Sequence, residues 1–180
     1  MRTIPGADAC LRVSIQGLHR FYRSRSEDVV AGWMTRQDRD LAIADNVAYT
    51  IAVLDAVMRE WPTDSRVVFC GFLQGVAMAF RAAVAGARRG TARGVVAVVG
   101  VIALGGDVPP ELDAASLGLI PAALVGRGAR DGWYAAEIFD ADVERLRGAG
   151  VHVDPVALDA GHEWTEAFSR AAGTSLAHWL

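Results

Sequence analysis

Residues 67–76 read Val67-Val68-Phe69-Cys70-Gly71-Phe72-Leu73-Gln74-Gly75-Val76. An apolar run ends at a glycine, a second glycine follows four positions on, and the helix formers Ala77-Met78-Ala79-Phe80 come next. The pattern predicts a strand, a tight turn and a helix. Its spacing is that of G-x-S-x-G, in which the central residue occupies a strained turn and the flanking glycines let the helix backbone close on the strand. The central residue here is Leu73, which carries no nucleophilic atom. The stretch has the frame of a nucleophile elbow and lacks the nucleophile.

Outward from the elbow, strands and helices alternate. On the N-terminal side, residues 11–15 alternate in polarity and predict a short strand, and 19–34 show no period and read as a loop. Leu41, Ala44, Val47, Ile51, Leu54, Val57 and Trp61 recur at helical spacing, with Thr35 as a cap, Asp38 near the first turn and Pro62 as the stop. On the C-terminal side the helix of 74–89 closes at Gly90. Residues 95–104 are almost wholly Val, Ile, Leu and Ala, as expected of a strand buried on both faces of a parallel sheet. A strand at 122–125, a helix lined by Ile138, Val143 and Leu146, a strand at 151–158 and a helix over 163–179 complete the chain. The expectation is one α/β domain over residues 1–180, a mostly parallel sheet with helices on both faces.

Composition narrows the function. The 180 residues are 52% hydrophobic with a formal charge of −3, enough chain to bury a sizeable core. No basic block is present, which argues against nucleic acid as partner. All 18 cationic residues are Arg, so neither Schiff-base chemistry nor a P-loop lysine is available. Cys10 and Cys70 make no disulfide framework, and Cys70 reads as a small core residue of its strand. The N-terminus lacks an apolar leader, and the longest apolar stretch, 95–104, is far short of the roughly 20 residues that span a bilayer. A cytoplasmic protein is expected.

Ligands of open parallel sheets bind at the carboxyl ends of the strands. Those ends carry Leu73, Asp107, Asp131 and His162 in turn. Positions 73, 131 and 162 follow the chain order nucleophile, acid, histidine. Each has a plainer alternative. Asp131 in Arg-Asp-Gly-Trp also suits a helix approach, His162 in Gly-His-Glu-Trp suits a helix N-terminus, and Asp107 in Gly-Gly-Asp suits a turn. His19 follows the first strand and suits either the border of the pocket or a polar loop, and His152 and His178 read as surface residues. A metal site from His152, Asp154, Asp159 and His162 matches no ligand spacing, so no metal is expected.

The stretches VVFCGFLQGVAMAF, IALGGDVPPEL, VGRGARDGWY and DAGHEW, with VSIQGLHRFY and WMTRQDRDLAIADN, resemble the phospholipase/carboxylesterase family of α/β hydrolases, relatives of acyl-protein thioesterases. The resemblance covers nearly the whole chain. It implies cleavage of carboxylic esters or thioesters of small or acyl-chain substrates without a cofactor. It makes Asp131 the acid, His162 the base, Gly71 and Gly75 the elbow glycines, and the Gln74 backbone N–H one oxyanion donor. The chain departs from the family at Leu73, where members have Ser. It also starts too late to hold the first central strand, whose His-Gly-type loop gives the other oxyanion donor. Either residues 11–15 and 67–70 then pair directly, or a gap, a bound segment or a second protomer fills the place. Cys70, Ser14, Ser65 and Ser116 have no motif context as substitute nucleophiles. The expected outcome is an esterase relative inactive as written. The alternatives are a non-catalytic binder of an apolar or acyl ligand, or an interaction module that homodimerises through the uncovered sheet edge.

Overall fold

The computed structural model describes residues 4–24, 26–93 and 96–180, with no side-chain detail for 90–93. It divides into two compact units, residues 13–63 and residues 1–12 with 64–180.

The larger unit is built on four parallel strands in the order β3-β4-β5-β6: β3 (Arg66–Phe72), β4 (Ala97–Leu104), β5 (Ala122–Gly128) and β6 (His152–Leu158). Helices α2 (Gln74–Arg93), α3 (Ala114–Leu117), α4 (Ala136–Gly148) and α5 (Glu166–Trp179) connect and cover them. The central strands β4 and β5 are buried along most of their length, which explains their unbroken apolar sequence. Two cores result, one per face. Val76, Phe80 and Val84 of α2 pack with Val101, Ala123, Val143 and Leu146 on one side. On the other, Phe168, Ala172 and Leu176 of α5 pack with Ile102, Leu104, Leu124 and Leu158. Gly100 and Gly126 make room for this second face, since a Cβ there would meet the rings of Trp179 and Phe168 at 2.5 and 2.3 Å.

The smaller unit pairs β1 (His19–Tyr22) with β2 (Val29–Gly32) in an antiparallel hairpin, followed by α1 (Arg39–Glu60). Asn46, fully buried on α1, accepts the Leu18 N–H at 3.0 Å and donates to the Trp33 carbonyl at 2.9 Å, tying the helix to both arms of the hairpin. By length and composition alone α1 could cross a membrane, with a mean hydropathy of 1.5. It nonetheless buries Ala42, Asn46, Thr50 and Ile51 in the protein.

Several expectations need correction. Residues 11–15 form no strand: Leu11 and Val13 are about half exposed, so the alternation there buries nothing. They therefore do not pair with residues 67–70. The hairpin instead occupies 19–34, read as loop because β1 exposes most of its side chains. α1 starts at Arg39 after Asp38 in a left-handed conformation, and Thr35 bonds the Gln37 carbonyl instead of capping. α2 runs past Gly90 to Arg93, and the expected strand residue Val95 lies outside the described residues. Ile138 is exposed on α4, where Phe139 takes the core position. α5 begins after Thr165, whose hydroxyl accepts the Phe168 N–H. Cys70 is exposed, not a core residue. β3 pairs only with β4 among the described residues, and α5 packs on β4, β5 and β6, so an apolar run here marks an edge strand.

Candidate active site

Because all four strands of the larger sheet run parallel, their carboxyl ends lie on one side. Leu73 directly follows β3, Asp107 follows β4, Asp131 follows β5 and His162 follows β6.

The elbow is a real strained turn. Leu73 has φ 55°, a left-handed conformation that costs an ordinary side chain about 1–2 kcal/mol. The surrounding backbone holds it there. Its N–H bonds the Leu104 carbonyl at 3.2 Å and its own carbonyl accepts the Val76 N–H at 3.0 Å. A Cβ on Gly71 would lie 2.2 Å from the Gly75 carbonyl oxygen, and one on Gly106 would lie 2.4 Å from that of Leu73. The bare Cα of Gly71 thus lets the first turn of α2 close against β3, and Gly106 lets the loop after β4 touch the turn. Gln74 opens α2 immediately after it.

The acid and histidine loops zip together as a continuation of the β5–β6 ladder. The N–H groups of Ala129 and Arg130 bond the carbonyls of Leu158 and Ala160 at 2.7 and 2.9 Å, and Arg130 pairs with Asp159 at the surface. This brings together Asp131 and His162, 31 residues apart, with 2.8 Å between Oδ2 and Nδ1. The Asp131 side chain is 1% exposed. Its Oδ1 accepts the N–H groups of Trp133 at 2.8 Å and Tyr134 at 3.1 Å. Burial works against its charge, but the Trp133 N–H, His162 and the Tyr134 N–H together hold its pKa below the ordinary value. Facing an ionised carboxylate, Nδ1 carries the ring proton, which leaves the Nε2 lone pair as acceptor. Nε2 is buried and has no hydrogen-bond partner among the described residues. The ring stacks at 4.9 Å on Phe72, the residue before Leu73, and lies over Gly105, where a Cβ would stand 3.1 Å from Cε1.

The remaining candidates fall elsewhere. Asp107 is exposed, and the carboxylate bonded to His162 is Asp131. His152 approaches Asp154 at 3.5 Å on the surface, Asp159 pairs with Arg130, and no group of three metal-ligating side chains forms among the described residues. His178 bonds the Thr174 carbonyl beside a shallow depression over α5 that shares no residue with the site. Ser65 precedes the opposite end of β3, and Ser116 is engaged by Arg88 in α3. Cys70 lies within β3. Residues that sequence reasoning passed over are Phe72, Gly105, the buried Tyr134 and Asp142, and the partly exposed Arg145. Of these, only the i,i+3 pair Asp142–Arg145 leaves a mark in the sequence.

No family model matches the sequence, and no curated protein matches it. Solved structures do. SOBER1 of Arabidopsis thaliana superposes with a TM-score of 0.64 at 18% identity, over 84% of this chain and 75% of that one. Acyl-protein thioesterase 2 of Zea mays gives 0.63 at 18%, over 83% and 73%. A carboxylesterase of Mesorhizobium loti gives 0.62 at 21%, over 87% and 72%. The chain has the α/β-hydrolase fold, in the form that these esterases and thioesterases share.

Proposed function

We propose that the chain is a relative of the phospholipase/carboxylesterase hydrolases in which the acid and base persist and the nucleophile does not. Its ancestral reaction is cleavage of small or acyl-chain esters or thioesters. The observation that carries this reading is the Asp131–His162 pair next in space to Phe72, with an unpartnered Nε2, beside a strained elbow whose turn residue is Leu73.

In the reaction the site is shaped for, Nε2 takes the proton of a turn hydroxyl as that oxygen attacks the carbonyl, Asp131 stabilises the imidazolium, and the proton then passes to the leaving group. The Leu73 side chain has no proton to give and no lone pair to attack with. Removing the nucleophile of a serine protease costs about 2 × 10⁶ in kcat, or roughly 8–9 kcal/mol of barrier. A general-base route through water meets a second obstacle, since Nε2 is closed to solvent. The chain as written is therefore inactive as a serine-type esterase.

The test is hydrolysis of p-nitrophenyl butyrate, with fluorophosphonate labelling as a second readout, by the unmodified chain, by Leu73→Ser and by Leu73→Ser with His162→Ala. Turnover and labelling confined to the first serine variant support the reading. Robust turnover by the unmodified chain that survives His162→Ala overturns it. Retention of a fatty acid by a chain that Leu73→Ser leaves inert would favour the binding alternative.

A further inference from the structure

Tyr134 and Asp142, both buried, and Arg145 at the rim form a polar chain that the proposed chemistry does not use. The Tyr134 hydroxyl donates to Asp142 Oδ2 at 3.0 Å, and its ring is 2% exposed and packs edge-on against Phe139. The same Oδ2 accepts the Val108 N–H at 2.9 Å. Arg145 approaches Asp142 Oδ1 at 3.4 Å and donates to the carbonyls of Val108, Pro109 and Leu112, each at 3.1 Å. Burial raises the Asp142 pKa, opposed by the Val108 N–H, Tyr134 and Arg145, while Asp107 adds to the rise. Asp107 and Arg127 are the other charged groups acting on Tyr134.

This chain reaches both halves of the acid–base pair. Tyr134 gives its backbone N–H to the Asp131 carboxylate, so the position of its ring fixes a donor that orients the acid. The loop held by Arg145 and Asp142 begins at Gly105, on which the His162 ring lies, and continues through Gly106, which touches the elbow. One network thus clamps the acid's donor and the base's seat. A mostly buried polar set whose members bond one another fixes geometry in a way that apolar packing alone does not.

We propose that Tyr134, Asp142 and Arg145 are positioning residues that hold Asp131 and His162 in register through the loop after β4. The inference rests on the acid–base pair of the proposed function, and its test does not require turnover.

The experiment is NMR observation of the His162 Nδ1–H proton at one fixed pH in the unmodified chain, Asp131→Asn, Tyr134→Phe, Arg145→Gln and Val143→Ala. Val143 is a buried neighbour on α4 outside the network and serves as the packing control. A ring N–H donated to a carboxylate resonates far downfield, because charge-assisted hydrogen bonds are short and strong. Asp131→Asn should abolish that downfield resonance. Tyr134→Phe and Arg145→Gln should each move it part of the way upfield, and Val143→Ala should leave it in place. Arg145 is about a third exposed, so its variant keeps the test open if Tyr134→Phe fails to fold. A resonance unmoved by Tyr134→Phe and Arg145→Gln, or moved equally by Val143→Ala, overturns the positioning role while leaving the pair intact. A resonance unchanged in Asp131→Asn overturns the pair itself, and the inference with it.

Discussion

The two halves of the candidate site are built by different means. The acid–histidine half turns on two side chains, a carboxylate and an imidazole, aimed by the backbone N–H groups of Trp133 and Tyr134. The elbow half depends on backbone packing, with Gly71 and Gly106 allowing three chain segments to meet and hold Leu73 at φ 55°. A side-chain nucleophile is no part of that packing. On the proposed reading the frame therefore stands without one, and imposes its strain on a residue with no chemistry to perform.

The largest effect that can test this contrast is catalytic. If the elbow is an intact frame, Leu73→Ser should raise ester hydrolysis by about 10³–10⁴-fold over the unmodified chain. That lies below the full factor of about 2 × 10⁶ by roughly the 10²–10³ that one oxyanion donor supplies. The shortfall is expected because among the described residues no strand pairs with the outer edge of β3 to offer a second donor. A serine variant as slow as the unmodified chain, yet folded, would mean that the two halves are no longer aligned.

Second in size is the backbone contact itself. Gly71→Ala should cost about 3 kcal/mol, the upper end of overpacking penalties, because its Cβ meets the Gly75 carbonyl at 2.2 Å and backbone cannot turn away. Gly128→Ala should act similarly, through the Gly161 carbonyl at 2.2 Å, and thereby disturb the acid–histidine half. Gly132→Ala, with nothing within 4 Å, should be close to neutral. Urea unfolding of the three variants checks the ranking. A benign Gly71→Ala would show that the elbow is looser than its geometry.

The elbow was legible in the sequence because its own turn is local: an apolar run, two glycines four apart and a helical stretch. The Leu104 carbonyl and Gly106 that brace it come from the next strand and the loop after it, and left no sign of that role. Asp131 and His162 were legible through their order and their place after successive strands. The network behind them was not, since Tyr134 meets Asp142 across 8 residues and Asp142 meets Val108 across 34, at spacings no motif encodes. The hairpin escaped for the opposite reason. Phe21, Tyr22 and Val29 are all more than half exposed, so the polarity alternation that normally betrays a strand is missing. Cys70 misled because an apolar run reads the same in a central strand and in an edge strand whose neighbour is absent among the described residues.

The acid–histidine half also has a pH signature. The folded pKa of Asp131 lies below its unfolded value, so its contribution to stability is present above the unfolded value, about 3.9, and is lost as pH falls through the folded one. Asp142 has the reverse sign: its folded pKa is raised, so its contribution is present below the unfolded value and lost as pH rises through the folded one. Urea midpoints at pH 7 and pH 3 should therefore differ less in Asp131→Asn than in the unmodified chain, and more in Asp142→Asn. Equal differences in all three would indicate that neither carboxylate is held as the geometry implies.

The smallest effect isolates the strain at the elbow. In a helix or strand, Ala is more stabilising than Gly by about 0.5–1 kcal/mol, since Gly has more backbone freedom to lose. At residue 73 the order should invert. Leu73→Ala and Leu73→Gly both discard the same partly exposed side chain, so burial cancels between them. Only the alanine retains the left-handed penalty of about 1–2 kcal/mol, which exceeds the entropic cost of glycine. The glycine variant should therefore be the more stable by about 0.5–1 kcal/mol, a Tm difference of roughly 1–4 °C for a chain of this size. If alanine proves equal or better, the turn has relaxed out of its left-handed conformation in solution. The elbow would then hold its shape only while the larger leucine side chain is present, and the claim that the backbone alone keeps the frame would fail.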